Sequence, residues 1–438
     1  MQTLQLTKNY EKYPEYKDSG VAWIGKIPKE WESQKIVSVF DFPNDKVTEE
    51  NYEPLSVTYD GIKKQVENAA KVAEGSLRKH VKIGDIAING RSDRKGAVGM
   101  SEYEGGVSLV YNVLRKRNQD FDSKYFHYLF RSILFSEEFY RWGRGIVDDL
   151  WTTRESEMKR IFITVPKPEQ QTRIASYLDK KTALIDQIIE KKEKLIELLR
   201  EKRTAVINQV VTRGLDPKAE LVDSDIDWIG KIPKDWKMSK LKYVAEIIPS
   251  NIDKLTVEGE SVVRLCNYVD VYKNEKITKQ MFENLMIASA SKKQIEKLSL
   301  LSGDVIITKD SETPDDIGVP AYVPENLPGV VCGYHLAIIR HNKIEGGYMF
   351  RFFQSQSAKI QFFLSANGLT RYGLGIGDIG GAILPVPPKD EQVKIAIYLD
   401  EKNGNCSKAI DCVEQSIEKL QEFKSSLISN AVTGKIKI

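Results

Sequence analysis

The sequence predicts an α+β protein. Two mixed α/β domains stand in tandem, separated by two long helices that form an antiparallel intrachain coiled coil with pseudo-two-fold symmetry. Three observations carry this reading. One segment occurs twice, a proline-rich joint occurs twice, and each joint opens a long proline-free stretch with a seven-residue apolar period.

Asp18-Ser19-Gly20-Val21-Ala22-Trp23-Ile24-Gly25-Lys26-Ile27-Pro28-Lys29-Glu30-Trp31 returns as Asp223-Ser224-Asp225-Ile226-Asp227-Trp228-Ile229-Gly230-Lys231-Ile232-Pro233-Lys234-Asp235-Trp236, an offset of 205. Such self-similarity marks a repeated structural unit. The joint Val165-Pro166-Lys167-Pro168-Glu169-Gln170-Gln171 runs into Ile174-Ala175-Ser176-Tyr177-Leu178-Asp179. Its echo, Val386-Pro387-Pro388-Lys389-Asp390-Glu391-Gln392, runs into Ile395-Ala396-Ile397-Tyr398-Leu399-Asp400 at an offset of 221, which also pairs Val211-Thr212 with Val432-Thr433. The change of offset means that the middles differ in length while the ends match.

Those middles read as mixed α and β. Lys82–Ile88 and Ser302–Ile307 each pass from a Gly-Asp turn into a short apolar strand. Gly106–Leu114 and Gly329–Ile339 read as one strand each. Tyr125–Tyr140 and Tyr348–Leu364 are aromatic-rich, lack Pro and internal Gly, and read as helical.

Each joint places Pro before acidic residues and Gln, a helix-start signal. The first stretch runs to Arg213 and Gly214, the second to Thr433 and Gly434, and glycine suits a helix end. One seam position holds Ile185, Lys192, Leu199 and Val206, and its companion holds Ile189, Ile196, Arg203 and Val210. The 221 offset maps these onto Cys406, Val413, Leu420 and Leu427, and onto Ile410, Ile417, Lys424 and Ala431. This is a coiled-coil seam. Its partner is the other copy, lying antiparallel within the chain, or else another protein or a second chain. From Glu169 to Arg213 a continuous helix would measure about 65 Å at 1.5 Å per residue. Gly404 is expected to break or bend the second helix early.

The 438 residues allow two to four domains. A hydrophobic share of 41% beside 29% charged residues is ordinary for a globular protein with real cores. The net charge of +3 permits nucleic-acid binding through local basic patches without requiring it. The four cysteines, Cys266, Cys332, Cys406 and Cys412, form no C-x-x-C pair. This argues against zinc and suits a reducing cytoplasm. Residues 1–10 lack the apolar stretch of a signal peptide, and no run of 18 apolar residues offers a membrane span.

The sequence offers no convincing catalytic constellation. Gly375-Ile376-Gly377-Asp378-Ile379-Gly380 matches a dinucleotide fingerprint, but Ala382-Ile383-Leu384-Pro385-Val386-Pro387-Pro388 follows where a helix is needed. It reads as a flexible loop. No phosphate-loop or H-E-x-x-H pattern occurs. His80, His127, His335 and His341 form no ligand pair, and Pro314-Asp315-Asp316 reads as a turn.

Basic residues mix with Gly, Ser, Thr and aromatics in a few loops, a pattern suited to phosphate contacts and base edges. The DNA-binding candidates in the first unit are Arg91, Arg94 and Lys95, then Arg141, Arg144 and Arg154. In the second they are Lys309, Asn367, Thr370, Arg371 and Tyr372. Arg144, Arg154 and Arg371 stand out, lying in Gly- or Thr-rich loops just before the joints. The repeated tryptophans, Trp23 with Trp31 and Trp228 with Trp236, read as anchors pinning the chain to its own domain rather than as base-stacking platforms.

The D-S-G-V-x-W-I-G-x-I-P-x-x-W motif, the P-x-x-E-Q-x-x-I-x-x-Y-L-D joint, the long helix and the V-T-x-G end together resemble the specificity subunit of type I restriction–modification systems. The resemblance covers nearly the whole chain; Asp225 stands where the pattern has Gly. It implies target-recognition domains at 1–165 and 215–385, a central helical spacer at 166–214 and a C-terminal one at 386–438. It further implies a cytoplasmic, non-catalytic chain that reads one half of an asymmetric bipartite duplex-DNA target with each domain. Two methyltransferase subunits and two motor-nuclease subunits would be its partners, with S-adenosylmethionine, ATP and Mg²⁺ belonging to them. The competing readings are a coiled-coil scaffold for proteins alone, and a complete enzyme with an unrecognised site.

Overall fold

A computed structural model describes residues 10–59, 61–65, 77–91, 95–146 and 151–438. Its contacts divide the chain into two compact units, Met1–Glu193 with Glu414–Ile438, and Lys194–Val413. This division differs from the four consecutive segments expected above, because each unit takes in half of both long helices.

In the first unit the repeated motif forms a hairpin, Tyr16–Asp18 against Lys26–Pro28. The chain then lays Glu32–Lys35 beside Phe162–Val165, so the start and end of the domain are adjacent strands. Between them lies a four-stranded antiparallel sheet in the order Val98–Met100, Ile86–Asn89, Tyr111–Lys116, Phe40–Asp41. The second unit repeats this plan. Leu221–Asp223 pairs with Lys231–Pro233, and Lys237–Lys240 with Ile383–Val386. Its sheet runs Pro320–Tyr322, Val305–Thr308, Leu336–His341, Ala245–Pro249, which is the first unit's order. A further four-stranded sheet, with Ser261–Cys266 and Leu327–Cys332 parallel at its centre, belongs to the second unit.

In the repeated turns, Asp18 accepts from the Gly20 N–H at 2.8 Å and Asp223 from the Asp225 N–H at 3.0 Å. Gly20 and Asp225 both take left-handed backbone, φ 72° and 58°. Asp is among the few non-glycine residues that tolerate this region, so the turn survives the departure at Asp225.

Two expected strands and two expected helices are each divided. Gly105–Val107 and Tyr111–Lys116 join different sheets across a turn closed by the Tyr111 N–H and the Ser108 carbonyl. Leu327–Cys332 and Leu336–His341 are separated near His335, whose φ is 68°. The aromatic stretches become Ser123–Arg131 with Ile133–Arg141, and Gly346–Phe353 with Gln356–Ser365. Ser132 and Ser355 are responsible. Each hydroxyl donates back to a carbonyl, of Leu129 at 2.7 Å and Phe352 at 2.6 Å, and accepts from the first turn of the next helix. Serine thereby ends one helix and caps another.

The long helices are Pro168–Arg213 and Lys389–Val432. The second passes through Gly404 without the break that the sequence allowed for. One internal glycine costs about 1 kcal/mol, less than the burial of residues such as Leu399 on the same helix contributes. In the first unit, Ile174, Leu178 and Ile185 from the early part of one helix share a core with Leu427 and Ala431 from the end of the other, with Ile189 and Leu420 at its margin. Lys424 also reaches Asp186 at 2.6 Å. In the second unit, Val206, Ile207, Val210 and Val211 pack with Ile395 and Leu399, and the Cys406 thiol lies 3.3 Å from the Leu199 carbonyl. Start meets end in both units, so the helices run antiparallel. The seam residues Ile185, Ile196, Val210 and Leu427 are buried, and Ile189, Leu199, Val206, Ile410, Val413, Ile417 and Leu420 are half-buried. Among the described residues no helix is long and apolar enough to cross a membrane.

The glycines that end the helices meet the repeated Pro and Trp. A Cβ on Gly434 would lie 2.4 Å from Pro28 Cδ and 3.2 Å from the Trp31 ring; one on Gly214 would lie 3.2 Å from Trp236. Gly434 has φ +70°. Gly434→Ala is therefore expected to cost at least about 1–2 kcal/mol from backbone strain alone, with the Pro28 clash added. A melting-temperature comparison checks this, and an unchanged value would contradict it.

Candidate nucleic-acid interface

In each unit, two loops far apart in sequence meet at the end of the central strand. In the first, Ile86–Asn89 runs into Gly90 and Arg91. The Gly90 carbonyl accepts from the Thr153 N–H at 2.9 Å, and Arg91 bridges to Thr152. A Cβ on Gly90 would sit 2.7 Å from the Thr153 carbonyl, so only glycine permits this approach. Thr152 exchanges two 3.0 Å backbone bonds with Arg144. The Tyr140 hydroxyl donates to the Arg91 carbonyl at 2.5 Å, and the Trp151 indole to the Tyr140 carbonyl at 2.9 Å. The two loops singled out in the sequence are thus one surface.

The basic candidates on that surface are not equivalent. Lys95 pairs with Glu137 at 2.6 Å and lies 5.1 Å from the Tyr140 ring. Arg141 Nε and Nη2 both donate to the buried Glu138 carboxylate at 2.7 Å. Arg144 is exposed and only 3.8 Å from Glu157, while Arg154 is exposed and Arg91 half-buried. Arg94 lies outside the described residues.

In the second unit the loop after Val305–Thr308 pairs with a hairpin at 367–373. Asp310 and Ser311 lie opposite Gly373 and Tyr372, and Asn367 and Gly373 exchange backbone bonds at 3.1 and 2.9 Å. Lys309 is held through its backbone: its N–H donates to the His335 carbonyl, and its carbonyl accepts from the Leu374 N–H, both at 2.8 Å. The tip presents Leu369, 97% exposed, with Asn367, Thr370 and Arg371 also exposed and Tyr372 half-buried. The sequence Gly375–Gly380, expected as a loop, is the short helix Ile376–Gly381. Asp378 accepts from the Gly375 N–H at 2.9 Å and caps it.

Facing the hairpin is a cleft of about 560 Å³ whose lining includes Tyr268, Tyr272, Ser311, Asp316, Thr370 and Arg371. Tyr268 and Tyr272 are stacked, with ring centroids 5.7 Å apart and 15° between planes. The Tyr272 hydroxyl donates to Asp316 at 2.7 Å, and this bond raises its pKa. Tyr268 is raised mainly by burial, while Ser311 and Arg371 pull the other way. Sequence reasoning missed both tyrosines, although aromatics four apart on a short helix share a face. Asp316, in a segment whose sequence reads as a turn, lies on a single 3₁₀ turn, Pro314–Asp316.

The repeated tryptophans divide. Trp31 and Trp236 are buried anchors, whereas Trp23 packs beside Phe135 and Trp228 is 37% exposed. His335 pairs with Asp310 beside the hairpin. Burial, then Arg131, pushes His127 down to about 4, and its ring Nδ1 accepts from the Met100 N–H at 3.0 Å. Among the described residues no group of three or more His, Cys, Asp or Glu is placed to hold a metal.

The family model described as the type I restriction modification DNA specificity domain matches residues 233–420. A putative type I restriction enzyme MjaX specificity subunit from Methanocaldococcus jannaschii is 22% identical, covering 95% of this chain and 96% of that one. The MjaVIII specificity subunit of the same organism is 23% identical over 94% of each. Among solved structures, a chain from a type I R-M system aligns with a TM-score of 0.71 at 14% identity, over 93% of this chain and 98% of that one. The HsdS subunit from Thermoanaerobacter tengcongensis aligns at 0.54, also with 14% identity, over 94% and 98%. Both likenesses establish the fold.

Proposed function

The chain belongs to the specificity-subunit family of type I restriction–modification systems, and from that premise we propose how its parts divide the work. Each unit reads one half of an asymmetric bipartite duplex target. The antiparallel helices set the unspecific spacer and dock methyltransferase subunits. The chain contributes recognition rather than chemistry, and S-adenosylmethionine, ATP and Mg²⁺ are used by methyltransferase and motor-nuclease partners, two of each, in the cytoplasm.

The observation that carries this reading is the paired-loop surface at the end of each central strand. Both units use the same backbone scheme and furnish it differently. Arg91, Arg144 and Arg154 mark the first; Thr370, Arg371 and a carboxylate-lined cleft mark the second. A common frame with unlike faces is what reading two unlike half-sites requires, since hydrogen-bonding side chains on base edges specify sequence.

Methylome sequencing of cells expressing this chain with its methyltransferase partner is expected to give one bipartite methylated motif that disappears when the chain is deleted. Methylation that persists unchanged would refute the reading. A protein-only scaffold predicts instead no steeply salt-dependent DNA binding by the complex.

A further inference from the structure

Phosphate-binding surfaces are basic, because each phosphodiester carries a full negative charge. The cleft of the second unit is not of that kind. Asp316 and Glu312 line it beside a single cation, Arg371, and Asp310 stands next to Ser311 at its edge. Carboxylates there would repel a DNA backbone. Base edges in the major groove differ: they offer acceptors on guanine and a donor on cytosine, so one G·C pair is matched by a guanidinium beside a carboxylate.

The two groups are held as such a reader needs. Arg371 sits on a hairpin fixed at its base by the Asn367–Gly373 backbone bonds and by the pairing of Tyr372 and Gly373 with Ser311 and Asp310. Its side chain is exposed and engages no carboxylate among the described residues. Asp316 is fixed by the Tyr272 hydroxyl at 2.7 Å, which occupies one oxygen and leaves acceptor capacity on the other. Tyr272 is in turn stacked on Tyr268.

We propose that this cleft reads one G·C pair of the second half-target, Arg371 donating to the guanine edge and Asp316 accepting from the cytosine amino group. Tyr272 is the positioning residue that aims Asp316. The proposal rests on the reading of the chain as a DNA-specificity subunit and adds the base pair and the side chains.

The test is selection of duplex DNA from a random library by the full chain in complex with its methyltransferase partner. Wild type, Arg371→Gln, Asp316→Asn and Tyr272→Phe are compared, with melting temperatures confirming folding. Wild type is expected to require G·C at one position of one half. Arg371→Gln and Asp316→Asn are expected to lose about 5- to 140-fold of discrimination at that same position and to keep the other half intact. Tyr272→Phe is expected to relax the same position less, which a merely structural tyrosine would not do. Selection of an A·T pair at the affected position, an equal loss for all sequences, or two variants affecting different positions would each overturn the proposal. A wild-type complex that selects a bipartite target while the folded variants keep its preferences overturns this inference alone. A wild-type complex with no sequence preference overturns the parent reading as well.

Discussion

Replacing Asp304 by alanine is expected to destabilise the second unit by about 3–5 kcal/mol, the range for leaving a buried ion pair half-occupied. Asp304 is fully buried. Its two oxygens take a forked pair of bonds from Arg340, Nε at 2.9 Å and Nη2 at 2.8 Å, and one oxygen also accepts from the Leu301 N–H at 2.9 Å. Alanine removes all three hydrogen bonds at once. Arg340 is 21% exposed, so water partly compensates it and the loss falls toward the lower end. Asp304→Asn keeps one acceptor and is expected to lose less. Hydrogen exchange of the strand Val305–Thr308 is the direct reading, since that strand begins at the clamp. Unchanged protection there would show that the clamp does not hold the strand. The functional consequence follows from sequence order: the strand delivers Lys309 and Asp310 to the hairpin that carries Arg371. On the proposed reading, loosening it is expected to blur the second half-target and spare the first.

The first unit has the same clamp. Asp85 receives Arg115 at 3.0 and 2.7 Å and the Lys82 N–H at 2.9 Å. The repeated Gly-Asp turns were legible in the sequence as turns. Their arginines were not, because Arg115 and Arg340 come from separate strands and no periodicity links an aspartate to a cation about thirty residues away. The same physics divides the rest. The repeated motif, the joint and the heptad seam were readable because each is local, encoded by recurring residues or by apolar spacing. The divided strands were not, because apolar residues continue on both sides of each turn, as around His335 with φ 68°. The break expected at Gly404 does not occur because a propensity cost of about 1 kcal/mol is offset by burial elsewhere on the same helix, as at Leu399. The candidate loops were found in pieces. Gly90 with Thr153, and Ser311 with Tyr372, join across the fold, and only then does a surface exist. The tyrosines of the cleft lacked a basic context and drew no attention.

Trp31→Ala is the second substitution with a large expected effect, about 3–5 kcal/mol for emptying the site of a fully buried tryptophan. Trp31 has no exposed surface and packs edge-on to Tyr13 at 5.8 Å, with Gly434 seated against it. Its equivalent, Trp236, is nearly as buried and takes Gly214 in the same way. The two differ at the indole nitrogen. Trp236 Nε1 donates to Glu391 at 3.0 Å, whereas Trp31 Nε1 has no partner among the described residues. Phenylalanine at either position removes similar volume, but only at Trp236 does it also remove a hydrogen bond to a charged group, worth about 1.5–3 kcal/mol. Trp236→Phe is therefore expected to cost more than Trp31→Phe, by about that difference. Urea unfolding of the two variants, with hydrogen exchange assigning each loss to its unit, decides the matter. Equal costs would mean that the Glu391 bond contributes nothing net. The contrast bears on function because each tryptophan holds the glycine that ends a long helix against its own domain. In the second unit the Glu391 bond reinforces that joint by tying the indole to the start of the other helix. In the first unit the indole contributes packing alone among the described residues, and the Tyr125 and Thr164 hydroxyls, donating to the Val432 carbonyl at 3.0 and 2.7 Å, hold the helix end instead.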